Sequence, residues 1–465
     1  MAAPDKDLQA AIAVTRFGLG ARPGELRQAR SDPQAYLAAQ IRSLPLPEER
    51  LPLSRAQALA RFGEARSAAL KASREHRADA QDLRGEVNEL RRGLRDEILG
   101  DITARAALAA STADSFAERW ALFWSNHFTV GAGNFTANGT IGPYEALAIR
   151  PHVFGPFREL LVSAETHPAM LIYLDQNRSI GPASPAARAA ARRSEGRQTP
   201  GLNENLAREI LELHTVGVDG GYTQADVTEF ARALTGLSFE GFSQEGAGQP
   251  RFLAARHEPG AKTVMGATYS AAGPGQAEAI LRDLAARPQT ARFISRKIAR
   301  HFVADEPPPA LCARLERAWL ESDGALDQVA LALISAPEAW SPEARKFKSP
   351  YEFVISAWRA LDEAPQSPKA LGVLTAMGQR PFAAPSPEGW PDEASAWATP
   401  DGLIKRLAWS QAIAPAAARQ SDPNAVAEAA LGVRLGSRTR QAIAQAESRS
   451  EALTLFLMSP EFQWR

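Results

Sequence analysis

The stretch Gly201 to Gly236, GLNENLAREILELHTVGVDGGYTQADVTEFARALTG, decides the fold class of this chain. Asn203 is a natural N-cap, and the run to Thr215 reads as helix until Gly217 stops it. At about 100° per residue, Leu202, Leu206, Ile210 and Leu213 form an apolar stripe, with Asn205, Arg208, Glu209 and Glu212 beside it. His214 follows near the end, where the helix dipole favours an imidazolium. Asp219-Gly220-Gly221 then supplies a tight turn that needs positive φ. Thr223 caps a second helix, Gln224 to Leu234, with Asp226 in its first turn. The unit is helix, glycine turn, helix, and its polar groups gather where the two helices meet.

The helical period extends outward in both directions. From Ala56 to about Ala110 the chain is rich in Ala, Leu, Arg and Glu and has no Pro, with charges of both signs every three or four residues. This predicts one long helix or a helical hairpin, either an arm for a partner or a solvated surface pair. Ser115 to Val130 predicts a further helix, with Phe116, Trp120, Phe123, Trp124 and His127 on one side, and Pro156–Ser163 another. Ile180 to Pro200, lacking an apolar period, reads as a mobile loop, a lid or a plain connection. Leu237–Phe239 and Arg251–Leu253 predict a short hairpin around Gly241–Pro250. Helices resume from Gly275 and continue to Met458. LALISAPEAW at Leu331 and LFLMSPEFQW at Leu455 echo each other, a faint sign of duplication. The expected class is mainly α: a large multi-helix, bundle-like body with a long charged helical hairpin and at most a short β-hairpin. Residues 1–465 read as one unit, divisible into lobes at 1–236 and 237–465.

Composition removes several functions. The 465 residues carry 53 basic and 53 acidic side chains, so no net field draws nucleic acid or anionic lipid. Cys312 stands alone, which excludes an intrachain disulfide and thiolate clusters. No apolar run is long enough for a membrane span. Met1 to Asp7 lacks the features of a secretory signal, so the expected location is cytoplasmic, or periplasmic after removal of a signal or by co-export with a partner. There is no phosphate loop, nucleophile elbow or dinucleotide fingerprint, and Gly18-Leu19-Gly20 reads as a turn.

The Asn205, Arg208, Glu209, Glu212 stripe has two readings. As a catalytic site, Glu209 or Glu212 is a base or metal ligand and Arg208 orients an anion. As a structural network, Arg208 pairs with Glu204 or Glu212. A divalent metal, if held, would take His127, His214 and His257 with Glu209 or Glu212, donors that suit zinc, manganese or iron. These histidines lie 87 and 43 residues apart, so their convergence is assumed. Lys262, beside the His257 loop, and Gln379 and Trp390, on a loop fixed by Pro381, Pro385, Pro387 and Pro391, are the expected substrate contacts. The same aromatic residues serve equally well as packing staples. His301, between Arg300 and a Pro-rich turn, reads as structural.

Several further blocks carry a resemblance: VTRFGLGARPGEL, ERWALFWSNHFTV, MLIYLDQNRSIG, RHEPGAKTVMG, ISRKIARHFVADEPP, KFKSPYEFVISAWRAL, MGQRPFAAPSPEGWP and SAWATP. With the opening motif they make the chain resemble, from about Ala11 to the C-terminus, the bacterial family called domain of unknown function 1800. The resemblance implies a mainly helical fold. Such proteins are often encoded beside the sulfatase-like domain of unknown function 1501 family, whose members commonly carry an export signal. It therefore implies a non-catalytic escort of that partner as the alternative to a hydrolase, metal-dependent or not. The chain departs from the family at Glu258, where Asp is more usual, so the carboxylate after His257 is retained with a longer reach.

Overall fold

The Pro-free segment folds back on itself as two long helices, Leu53–Arg74 and Ala80–Ser111. Their seam is thin, with Leu59, Phe62, Ala65 and Ala69 clustered with Val87 and Leu94, and many of the other described side chains along the pair are exposed. The chain is described here by a computed structural model covering residues 5–42, 53–131, 135–193, 201–240, 250–343 and 345–465. It is 68% helical, and its described residues form 24 α-helices and two antiparallel pairs of three-residue strands. Among the described residues no helix is long and apolar enough to cross a membrane.

Two larger cores make the body. One gathers side chains from Ala10 to Trp340. The other joins Leu19 and Ala106, Ala109 and Ala110 to residues between Tyr351 and Phe462. The small residues ending the second long helix thus root the hairpin in the body. Between the cores runs the aromatic helix Ser115–His127, in which ten of thirteen residues are buried. A helix buried nearly all round is expected to be apolar, yet this one carries Glu118 and Arg119. Each is paired: Arg150 donates to both Glu118 oxygens at 2.7 and 2.8 Å, and Arg119 pairs with Glu352.

The Gly201–Gly236 unit forms as expected at its ends and differs in the middle. Asn203 Oδ1 accepts the Asn205 N–H at 2.9 Å, and Thr223 and Asp226 close a capping box. The first helix is α-helical only over Asn205–Glu209. It then widens into π-helix over Ile210–His214, so residues beyond Glu209 rotate off the expected stripe. Gly217 ends the helix at φ +84°.

Leu237–Phe239 pairs antiparallel with Pro250–Phe252, and the connecting residues 241–249 lie outside those described. A second pair, Lys262–Val264 with Ala267–Tyr269, turns at Met265 and Gly266, both at positive φ as a two-residue hairpin turn requires. Its strands are too short to leave a period in the sequence. The expectation of an unstructured Ile180–Pro200 is corrected: Pro185–Arg193 is a helix. Ala and Arg are the strongest helix formers and Pro is at home in the first turn, so composition outweighs the missing apolar face. The rest of that stretch, 194–200, lies outside the described residues.

Candidate active site

Gln379 and Trp390 stand on the wall of one cavity of about 120 Å³. The aromatic helix contributes Arg119, Ser125 and Asn126 to it, and the Pro288–Phe302 helix contributes His301. Helix Pro350–Ala360 contributes Tyr351 and Glu352 from its first turn, which Ser349 and Glu352 close as a capping box.

The 379–397 loop is pinned over this cavity by polar contacts. Asn126 Nδ2 donates to Trp390 O at 3.0 Å, and Trp390 N–H donates to Asn126 Oδ1 at 2.8 Å. Gly389, at φ +88°, lies so close that a Cβ would stand 2.5 Å from Asn126 O, so no other residue fits there. Gln379 Oε1 accepts the Tyr351 N–H at 2.7 Å, one of the helix's unpaired first-turn donors. Arg465 reaches the cavity because the chain beside it pairs with 346–348. Arg465 N–H donates to Lys346 O at 2.9 Å, and Lys346 N–H returns the bond at 3.0 Å.

The wall carries three arginines, Arg105, Arg119 and Arg465, and three carboxylates, Glu145, Glu352 and Asp392. Glu352 takes both Arg119 and Arg465, the latter at 3.1 Å. Behind it Arg406 donates to Lys348 O at 2.6 Å, and the Lys348 ammonium lies 3.9 Å above the Phe462 ring. Burial, helped by the Arg465 charge, brings Arg119 down to about 10. Burial and neighbouring arginines hold Lys348 well below the usual lysine range. Burial alone would raise Glu352, but Arg465 and Arg119 outweigh it and keep the carboxyl ionised. One carboxylate therefore serves two guanidiniums, and the ionised Asp392 on the same wall balances the second positive charge.

Beside this pair stands a histidine–aspartate dyad. His301 Nδ1 lies 2.8 Å from Asp392 Oδ1, and Lys346 Nζ donates to Asp392 O at 2.5 Å. Burial depresses His301 below its ordinary value against the pull of Asp392. Asp392, which burial would raise, is brought to about 2 by His301 and Lys346. With the carboxylate ionised and the imidazole neutral, the proton belongs on Nδ1, which leaves a lone pair on Nε2.

Five buried polar atoms on the residues of this wall have no hydrogen-bond partner in the protein: Arg119 Nη2, Ser125 Oγ, His301 Nε2, Tyr351 Oη and Arg465 Nε. Folded chains rarely leave such atoms unpaired, since each costs about 1–3 kcal/mol. Four are donors and one is a base, and all belong to residues that line this cavity.

The other expected site residues lie off this wall. Arg208 Nη2 bonds Glu204 at 3.3 Å and Gln224 at 2.9 Å, and Glu204 also accepts from Thr228 at 2.7 Å. These contacts staple the two helices of the glycine-turn unit. Glu212 accepts from Tyr222 at 3.3 Å, burial raises Glu209, and Asn205 starts the helix. His127 and His214 do meet, with rings 5.8 Å apart and His127 Nε2 lying 3.2 Å from His214 O. His214 Nδ1 is 2.8 Å from Glu165 Oε1 in the core, but not aligned for a hydrogen bond. His257 is elsewhere: its Nδ1 bonds Thr235 O at 2.8 Å and its ring packs on Phe252. Among the described residues no group of three or more His, Cys, Asp or Glu is arranged to hold a metal ion. The structure thus brings His127 and His214 together and places His257 against Thr235 and Phe252. Lys262 donates to the carbonyls of Glu258, Pro259 and Gly260, and so cross-links its own loop. Glu258 accepts the Ala183 N–H at 2.7 Å, a tie to the start of the 185–193 helix.

Sequence reasoning missed Arg119, Ser125, Tyr351, Glu352, Asp392 and Arg465, and read His301 as structural. Only the charged pair Glu118-Arg119 amid the aromatic stripe was a visible signal.

A family model described as protein of unknown function (DUF1800) matches residues 12–464, nearly the whole chain. No curated protein and no solved structure matches it.

Proposed function

We propose, starting from the fact that the chain belongs to the DUF1800 family, whose description names no reaction, that it is a hydrolase-type enzyme working in the cavity under the 379–397 loop. The observation that carries this reading is the set of five unpartnered polar atoms on residues of the wall that also holds neutral His301 and ionised Asp392. Arg119 and Arg465 hold an anionic group of the substrate through Nη2 and Nε, which have no partner in the protein. His301 Nε2 accepts a proton from water as the water oxygen bonds to the electrophilic centre beside that group. Asp392 holds the imidazolium that results, which returns the proton to the leaving group as its bond breaks. Tyr351 and Ser125 hydroxyls donate to the charge that develops meanwhile. A space of about 120 Å³ admits a small reacting group.

The test pairs binding with turnover. Inorganic phosphate is titrated calorimetrically into the native protein, Tyr351→Phe and Arg465→Met, and a panel of anionic chromogenic esters is assayed with His301→Gln. Phosphate binding should weaken at least tenfold in Arg465→Met and less in Tyr351→Phe. His301→Gln should bind phosphate normally while turnover falls by about 10²–10⁴. Phosphate binding equally to all the proteins would refute the reading.

A further inference from the structure

A second, larger chamber of about 530 Å³ adjoins the first, and Ile141, Pro381 and Phe382 belong to the walls of both. It lies where the second helix of the long hairpin meets the body. Its charged residues are Arg91, Arg95 and Arg380 against one carboxylate, Asp101. Between them the wall is apolar, with Ile98, Leu99, Ile102 and Leu371.

The partition has an unusual build. Phe382 holds a left-handed backbone at φ +54°, uncommon for a bulky side chain. Its ring sits 5.1 Å from the Arg105 guanidinium, which also lies 5.2 Å from the Tyr351 ring. Arg105 is in turn fixed to both oxygens of Glu145 at 2.8 and 3.0 Å. A backbone held against its preference by a stacked, ion-paired neighbour marks a place where position matters more than stability.

We infer that the larger chamber is the outer subsite for the same substrate, and that this substrate is an elongated molecule bearing two anionic groups joined by an apolar stretch. The inference rests on the proposed reading of the smaller cavity. One anion lies against Arg119 and Arg465, the other against Arg95 and Arg380, and the connecting part passes Phe382 and covers Ile98, Leu99 and Ile102. The hairpin then has a task in recognition, because its charged and apolar faces form one side of the chamber. Two anchoring charges at a fixed separation select for length, which a single anion site does not do.

The probes are unbranched α,ω-dicarboxylates of four to twelve carbons and the matching monocarboxylates, titrated calorimetrically into the native protein and into Arg95→Met, Arg380→Met and the double variant. Both arginines are exposed, so the variants should fold normally. Affinity should rise with chain length for the diacids, to at least tenfold above the monoacid of equal length. The double variant should lose that advantage while binding inorganic phosphate like the native protein. If phosphate binds and depends on Arg465 but diacids show no length preference, or Arg95 and Arg380 make no difference, the outer subsite is wrong and the inner reading stands. If phosphate does not bind, both fall.

Discussion

Glu352→Gln isolates the charge on which the candidate site rests. The amide preserves shape and keeps an oxygen to accept the Ser349 N–H, now bonded at 2.9 Å, so the helix cap survives. What goes is the single negative charge between Arg119 and Arg465, two guanidiniums that are about 1% exposed. Removing one partner of a buried ion pair costs about 3–5 kcal/mol, because the charge left behind stays desolvated. Unfolding entropy of about 2.1 cal/mol/K per residue, over 465 residues, gives about 1 kcal/mol/K. The midpoint of thermal unfolding should therefore fall by about 3–5 °C. An anion seated between the arginines replaces the lost charge, and at a concentration 100 times its dissociation constant it contributes about 2.7 kcal/mol. Calorimetric scans in sodium sulfate and sodium chloride of equal ionic strength measure this. Sulfate also stabilises proteins generally, so the decisive quantity is the extra gain of Glu352→Gln over the native protein. A variant that melts within about 1 °C of native, or gains no more from sulfate, would show that the arginines are not short of negative charge.

Two other outcomes follow from the structure. Burial holds His127, His167 and His301 below the ordinary histidine value, His167 at about 4, and His167 Nδ1 accepts the Ala169 N–H. The unfolded chain then binds protons first as pH drops below 6.5, so stability is full above that value and falls between pH 6.5 and 4. His167→Asn, which keeps an acceptor for the cap, should flatten part of that slope in unfolding midpoints measured across pH, and an unchanged slope would contradict it. Arg208→Met should cost no more than about 1 kcal/mol, because its pair with Glu204 is partly exposed. It should leave phosphate affinity untouched, and a large loss of binding would return the polar helix stripe to the active site.

The helical class, the long hairpin and the capped helix after the glycine turn were legible because each depends on neighbours within a turn or two. Period, Pro-free length and caps such as Thr223 and Asp226 are all local signals. The π-helical turn at Ile210–His214 was not, since nothing in ILELH distinguishes it from α-helix. The three-residue strands around Met265 carry no period to read.

The same distinction explains why the densest polar motif is largely paired within itself. Arg208 and Glu204 stand four residues apart, and side chains at that spacing on a partly exposed helix tend to satisfy one another. A motif conspicuous in sequence is thus biased towards groups that are already paired and have little left for a ligand. In the cavity the partners are remote: His301 and Asp392 are 91 residues apart, and Arg119 and Glu352 are 233 apart. Glu352 even looks spent, because Ser349-Pro350-Tyr351-Glu352 reads as an ordinary capping box. The better sequence signal is a polar residue where the local pattern demands an apolar one. Arg119, between Phe116 and Trp120 on a helix buried nearly all round, is such a residue, and its partner had to come from far along the chain.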